Sequence, residues 1–314
     1  MRKLRFLVTG VAGDIGFGIG KILRKSFSDS FLLGIDTNQD NPALMVFDQF
    51  IKSYHADLDN YYKDIIALVI EKQINFIIPT SESEISIFWE KGLVSFFENI
   101  NLSVLILDQD IVNTSLDKFK TFKFLKVNGF SYPNTYLAKD FKTQNNFPMI
   151  FKLRSGQGSK ELRILHSLGD IKVSEKTDKY IVQELLSDEN QEYTCCVFSD
   201  GNIYRSIVIR RKLKNGFTYS GEVVEDQEID TYIVDISKAL KLKGSINFQL
   251  RMTDRGPVLF EINPRFSSTV VFRDKLGFSD LIWSVQLMSK NKISKYIKPK
   301  NGTKVYRGIN EYII

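Results

Sequence analysis

Cysteine and histidine are scarce, at two residues each in 314, and that scarcity removes whole classes of chemistry before any motif is read. The cysteines are the adjacent Cys195 and Cys196, inside the strand-like run EYTCCVF, and neighbours on a strand point to opposite faces. Neither a disulfide framework nor a zinc cluster follows from them. His55 and His166 stand far apart in unremarkable surroundings, so a histidine-based triad has no basis. Long apolar runs are missing too, since nothing approaches the ~18 residues that a membrane span needs. The opening MRKLRFLVTG enters a strand-like segment without a signal-peptide cleavage pattern. These absences lead to the expectation of a cytoplasmic protein with no membrane association.

What is present is ordinary for a globular chain, with 43% hydrophobic and 25% charged residues. Its length allows roughly two domains, each with its own core. The 43 basic residues outnumber the 37 acidic ones, for a formal net charge of +6. Such an excess attracts a polyanionic small molecule as readily as nucleic acid. The densest basic run, KNKISKYIKPKNGTK, reads as a solvated face, and no nucleic-acid partner is expected.

From residue 4 to about 107 the pattern alternates. LRFLVTG, FLLGID, INFIIPT and NLSVLIL read as strands, and GFGIGKILRKSF and YYKDIIALVIEKQ as helices. Apolar strands separated by helices predict a parallel α/β sheet with both faces covered. A helix is predicted over SLDKFKTFKFLKVNG, with Ser115 as its N-cap and Gly129 as its stop. Beyond it the chain is strand-rich, as in NTYLAK, PMIFKLR, LRILHS, YIVQELL and GPVLFEINP, with a hairpin turning at SDGN. The second region is therefore expected to be α+β.

Gly10, Gly13 and Gly16 form G-x-x-G-x-x-G between a strand and a helix, and Asp36 follows Gly16 by twenty residues. This placement is close to a dinucleotide fingerprint. Against it, the only Tyr-x-x-x-Lys, from Tyr296 to Lys300, contains Pro299 and lies near the C-terminus. A Walker A loop also fails, because Gly20-Lys21 is followed by Ile22. An NAD(P)-dependent epimerase or reductase is thus an alternative, and a structural or substrate-side loop is the preferred reading.

Three stretches of the second region carry stronger chemistry. In FPMIFKLRSGQGSKEL a strand presents Lys152 and Arg154, and the loop Ser155, Gly156, Gln157, Gly158, Ser159 offers backbone N–H groups. Such a loop suits phosphates as well as it suits a hairpin turn. In YIVQELLSDENQEYT an extended backbone at Gln183, Glu184, Leu185 and Leu186 matches an adenine edge, and Glu192 matches ribose hydroxyls, with a plain strand and acidic loop as the bland reading. The most specific stretch is GSINFQLRMTDRGPVLFEINPRFSS. Gln249 lies on one strand, while Glu261 and Asn263, two apart, share a face of the next. One carboxylate with two amide oxygens suits Mg²⁺, and Arg265 suits bidentate contact with a phosphate.

Together these residues resemble the ATP-grasp superfamily, above all the carbamoyl-phosphate synthetase large-subunit and biotin carboxylase branch. The resemblance runs from the glycine loop through Asp117-Lys118, the Lys152 strand, the hinge at 183 to 186 and FEINPR. It implies a Rossmann-like pre-ATP-grasp domain at 1–110 and a two-subdomain ATP-grasp domain at 111–314, with a lid at about 130–185. It also implies that the first domain does not bind NAD.

The resemblance further implies an ATP- and Mg²⁺-dependent ligase that activates a small-molecule carboxylate as an acyl phosphate for attack by an amine or similar nucleophile, releasing ADP and phosphate. Lys118 and Lys152 would contact phosphates, with the 155–159 loop closing over them and Glu184 to Leu186 holding adenine. Gln249, Glu261 and Asn263 would take one or two Mg²⁺ ions, with Mn²⁺ as a substitute and Glu261 bridging. Lys152, Arg265 and Arg211 would disperse the charge of the transferring phosphoryl group. A homodimer is compatible with this branch. One departure is Gln183, which stands where an acid often opens the hinge. The chain carries no glutaminase, biotin carrier or second synthetase half, which fits a stand-alone ligase. The acceptor pocket is expected near Asp14, Glu82, Glu84, Arg210 and Arg211. A catalytically silent nucleotide-binding protein is the reading from another class, and the presence of Lys152, Glu261, Asn263 and Arg265 argues against it.

Overall fold

Strand β1 (Arg5–Thr9) begins a five-stranded parallel sheet with β2 (Phe31–Asp36), β3 (Gln49–Lys52), β4 (Phe76–Ile78) and β5 (Ser103–Val104), in the spatial order β3-β2-β1-β4-β5. The structure is a computed structural model and describes residues 3–142, 147–156, 161–186, 191–214, 216–308 and 312. Alternation along β1 sends Phe6 and Val8 to one core and Leu7 to another, so both faces of the sheet are covered, as near-continuous apolar strands require. Helix α1 (Asp14–Ser26) covers one face; α2 (Asp59–Glu71), α3 (Glu82–Glu90) and α4 (Leu93–Asn99) supply the other. Chain order reverses between β1 and β4, and in open α/β sheets ligands gather at the carboxyl ends of strands flanking such a switch.

Two helices follow where one was expected. Helix α5 (Gln109–Ser115) ends at Ser115, and α6 (Lys118–Val127) is capped instead by Asp117, whose Oδ1 accepts from the amides of Phe119 and Lys120 at 3.0 and 3.1 Å. A carboxylate satisfies two orphan amides at a position where Ser115, already helical, has none to cap. Gly129 follows this helix with φ 73°, the left-handed turn expected of it.

A four-stranded antiparallel sheet comes next, built from β6 (Thr135–Leu137), β7 (Met149–Leu153), β8 (Arg163–Leu165) and β9 (Tyr180–Glu184) in the order β6-β9-β7-β8. The third sheet is six-stranded, in the order β14-β13-β10-β11-β12-β15. Its strands are β10 (Glu192–Ser199), β11 (Tyr204–Lys214), β12 (Phe217–Val223), β13 (Gly244–Thr253), β14 (Gly256–Asn263) and β15 (Lys304–Tyr306). Cys195 packs in the core against α7 (Gln227–Ala239), and Cys196 packs on the other face beside Phe278 and Trp283. Helices α8 (Val270–Lys275) and α9 (Asp280–Met288) then meet α1, with Val270, Leu281 and Val285 joining Ile19 and Leu23 in one core. Among the described residues no helix is long and apolar enough to cross a membrane.

Candidate functional site

The pairing of β13 with β14 sets Gln249 opposite Glu261 and Asn247 opposite Asn263. All four side chains line one cleft of about 500 Å³. The first sheet contributes Asp14 and Ile15 from α1, and the four-stranded sheet contributes Lys152 and Gln183. Lys118, Gly156, Glu184, Leu186 and Glu192 also reach it, as do Arg211 and Arg265. Ser155 and Leu185 are described but do not line it, and Gly158 and Ser159 lie outside the described residues.

At the polar end the cations are held in place by the fold. Lys152 on β7 is 8% exposed, and burial pulls its pKa from the usual 10.5 to about 8, with the charge of Glu261 resisting and those of Lys118 and Arg251 assisting. Lys118 opens α6, and its Nζ donates to the Gly156 carbonyl at 2.9 Å. The start of α6 is tied to the end of β7 by an Arg154–Asp117 ion pair at 2.6 Å. Arg265 donates to Asn263 Oδ1 at 3.2 Å and to Glu82 Oε1 at 3.4 Å.

Glu192 sits beneath this end. Its Oε1 accepts two bonds from Arg211, at 3.0 and 2.6 Å, and its Oε2 accepts two from Arg251, at 3.1 and 2.9 Å. A carboxylate has about four acceptor sites, so this arrangement leaves none open for the ribose hydroxyls anticipated from the sequence. Arg211 also donates to Gln249 Oε1 at 2.9 Å. Arg210, one residue away and on the other face of β11, pairs with Glu222 at 2.9 Å and lies off the cleft.

The other end of the cleft is apolar, walled by Ile150, Leu153, Leu162, Leu186, Phe217 and Phe260. Here Gln183 donates to Thr135 Oγ1 at 2.9 Å, and Glu184 accepts from the Asn134 amide at 2.9 Å while pairing with Arg255. The Leu186 carbonyl accepts from Arg251 Nη1 at 2.6 Å.

Sequence reading missed two residues that line the cleft, Asn247 and Arg251, and one that braces Asp14 behind it, Arg307. Asn247 and Arg251 flank Gln249 at intervals of two, and the period of the strand was the signal that pointed to them. Arg307, just past β15, gave no signal at all. It donates to the carbonyls of Ser268 and Thr218, at 2.7 and 3.2 Å, and reaches Asp14 at 3.1 Å. Conversely, Glu84 is not available to a ligand. Its carboxylate accepts from Thr9, Tyr61 and Ser81 at 2.7, 2.8 and 2.8 Å, which ties α3 to the sheet.

The glycine loop is explained by its own chain. A Cβ on Gly16 would stand 2.4 Å from the Gly10 carbonyl oxygen, and one on Gly10 would stand 2.4 Å from Thr80 Oγ1. Asp36, the residue a dinucleotide ribose would need, accepts instead from the amides of Ala12 and Asn38 at 2.9 and 2.8 Å.

Among the described residues no three His, Cys, Asp or Glu side chains gather as a metal cluster, so a cation here must draw on amides. Glu261 with Gln249 and Asn263 makes a hard, oxygen-only set on facing strands, which fits Mg²⁺ with water and phosphate completing its shell. The Nδ2 atoms of Asn247 and Asn263 are buried without a hydrogen-bond partner, as expected of a site that a ligand completes.

Residues 176–308 match the family described as ATP-grasp in the biosynthetic pathway with Ter operon. The carbamoyl phosphate synthase large chain of Thermoanaerobacter sp. is 26% identical over 197 residues, covering 55% of this chain and 18% of that protein. The chain spans 58% or less of the length of the curated relatives it matches. Among solved structures, an N5-carboxyaminoimidazole ribonucleotide synthetase in its ADP complex superposes with a TM-score of 0.73 at 14% identity, over 95% of this chain and 80% of that one. A biotin carboxylase of Campylobacter jejuni, solved as a β,γ-ATP complex, gives 0.72 at 14% identity, over 93% and 72%. The chain thus has the ATP-grasp fold, a Rossmann-like sheet followed by two antiparallel sheets around a cleft, in the form shared with biotin carboxylase and with sequence kinship to carbamoyl phosphate synthase.

Proposed function

We propose that this protein is an ATP- and Mg²⁺-dependent ligase that joins a small-molecule carboxylate to an amine or similar nucleophile. What supports the reading is that one cleft combines an apolar end, a set of Lys and Arg side chains, and the Glu261, Asn263, Gln249 oxygen set. Adenine occupies the apolar end beside the strand end at Glu184 to Leu186. Lys118 and Lys152 bind phosphates, with Ser155 and Gly156 beginning the loop beside them. Glu192 acts through the arginines it orients, and Arg211 in turn holds Gln249. Bound at Glu261, Asn263 and Gln249, Mg²⁺ supplies charge neutralisation on the phosphates.

In the first step a carboxylate oxygen of the substrate attacks the γ-phosphorus of ATP. The new O–P bond forms as the bond to the β,γ-bridging oxygen breaks, and ADP leaves. Lys152 and Arg265 stabilise the charge on the transferring group. In the second step the amine nitrogen attacks the acyl carbon, the C–O bond to phosphate breaks, and the nitrogen loses its proton to solvent. No protein nucleophile is required, in keeping with the scarcity of cysteine and histidine.

Thermal unfolding with ATP plus Mg²⁺, ATP plus EDTA, NAD⁺ and NADP⁺ tests the reading, because a ligand of the folded state raises the melting point. A rise with ATP that Mg²⁺ enhances is expected, with none from the dinucleotides. Glu261→Gln should remove substrate-dependent ADP release while leaving the protein folded. Unchanged turnover would sink the assignment of Glu261.

A further inference from the structure

Residues 264–269, which carry the chain from β14 to α8, form neither strand nor helix, yet they supply Arg265, Ser267 and Ser268 to the cleft wall. Arginines hold three consecutive residues of this turn. Arg273 Nη1 donates to Ser267 Oγ and to Thr269 Oγ1, at 2.7 Å each, and Arg307 Nη2 donates to the Ser268 carbonyl at 2.7 Å. The two hydroxyls lie 2.9 Å from one another.

Arg273 itself does not line the cleft. It is 1% exposed, as is Asp280, to which its Nη2 and Nε donate at 2.8 and 3.3 Å. Asp280 Oδ2 also accepts from Ser245 Oγ of β13 at 2.6 Å, and Cys196 of β10 stands 3.5 Å from the same oxygen. One chain of bonds therefore runs from the six-stranded sheet through Asp280 and Arg273 to the turn. Taking a guanidinium and a carboxylate out of water is costly, and apolar side chains of similar volume often fill such a space equally well. Packing α8 against α9 thus gives no reason for the pair. Geometry does, because a planar guanidinium directs its N–H groups in a fixed fork. Once Asp280 holds one side of that fork, the other side sets where Ser267 and Thr269 stand. Arg265 belongs to the same turn, and a misplacement of about 1 Å at a reacting centre costs on the order of a hundredfold in rate.

We propose that Arg273, oriented by Asp280, is a positioning residue that fixes the turn from Arg265 to Thr269 and through it the place of Arg265 beside the γ-phosphate. The inference rests on the ligase reading above. It assigns the buried ion pair to the geometry of the cleft rather than to the stability of the fold.

The test measures nucleotide affinity by calorimetry on the purified full chain, with Mg²⁺ and either ADP or β,γ-imido-ATP, which differ by the γ-phosphate assigned to Arg265. Arg273→Lys keeps a charge beside Asp280 but replaces the fork by one nitrogen. Its Kd for the imido analogue should weaken about tenfold, the worth of one charge-assisted hydrogen bond, while its Kd for ADP stays within about twofold of the unmutated value. Thr269→Val removes one clamped hydroxyl and leaves the ion pair intact; it should shift the same constant in the same direction, and it decides the matter if Arg273→Lys fails to fold. In an Arg265→Ala background Arg273→Lys should add nothing, because both act through one group. A lower melting point with both constants unchanged, or with both weakened alike, would make Arg273 a structural residue only and overturn the inference, leaving the ligase reading in place. If the unmutated protein binds neither nucleotide, the ligase reading falls and takes the inference along.

Discussion

Lys152 is a buried cation that exchanges its proton close to physiological pH, because burial has brought its pKa down to about 8. Between pH 8 and the usual 10.5 the unfolded chain binds more protons at this lysine than the folded one. The stability of the ligand-free protein therefore gains from this residue as pH rises through that window, and the burial penalty is fully present below pH 8. Nucleotide binding runs the other way, since phosphate oxygens need the ammonium form. We expect the Kd for ATP, measured calorimetrically at pH 7, 8 and 9, to weaken above pH 8 by up to about tenfold per unit. In Lys152→Met the Kd should be weaker at pH 7 and nearly flat across the range. A flat profile in the unmutated protein would remove Lys152 from the phosphate site. Residues of this kind were legible where the strand period of two applied, as with Glu261 and Asn263. The same period decides between Arg210 and Arg211, but only once the pairing of Tyr193 with Arg210 and of Glu192 with Arg251 fixes the faces of β10 and β11. Arg307 was illegible because its partners lie 39 to 293 positions away in the chain.

Helix α1 shows why its glycines mislead at the scale of an element. The spacing satisfies a nucleotide fingerprint, yet three of the glycines are required by contacts of the fold. A Cβ on Gly16 would meet only backbone, the Gly10 carbonyl at 2.4 Å and the Thr9 oxygen at 2.7 Å. One on Gly18 would meet the Val271 side chain at 2.6 Å, and one on Gly20 the Phe47 ring at 2.4 Å. Side chains can turn aside and backbone cannot. Gly16→Ala should therefore destabilise by about 1–3 kcal/mol in urea unfolding, the usual range for overpacking, and more than Gly18→Ala does. Equal or negligible losses would show that the turn after β1 tolerates a side chain. The β-α alternation was readable because apolar periods are local. The start of α3 was readable in principle too, since Ser81-x-x-Glu84 is a capping box, although the sequence reading took Glu82 and Glu84 only as candidates for the acceptor pocket. Strand β15 had no such signal. It is short and mostly exposed, and it is a strand only because β12 pairs with it.

The five-stranded and six-stranded sheets form one mechanical unit, because their cores interpenetrate, while the four-stranded sheet packs a core of its own around Phe151 and Val182. Ile19 of α1 packs in a cluster with Phe266, Val270, Leu281 and Val285 from the far end of the chain. Ile85, Leu107 and Ile111 join Cys195, Val197 and Phe248 of the six-stranded sheet in a second cluster. Separating the first hundred or so residues from the rest would expose both apolar surfaces to water. The cleft depends on that union, since Asp14 and Ile15 come from one side of it and Glu261 and Arg265 from the other. Unfolding should accordingly be a single cooperative transition followed by calorimetry and by tryptophan fluorescence alike, with Trp89 reporting on α3 and Trp283 on α9. Ile19→Ala and Phe248→Ala, both fully buried, should each cost several kcal/mol, within the roughly 2–5 expected for large core truncations. The two substitutions should lower the same transition although they lie in different clusters. If Ile19→Ala split the melt in two and left the Phe248 cluster unfolding at its original temperature, the sheets would be independent. The geometry linking Asp14 to Arg265 would then be set by the ligand rather than by the fold.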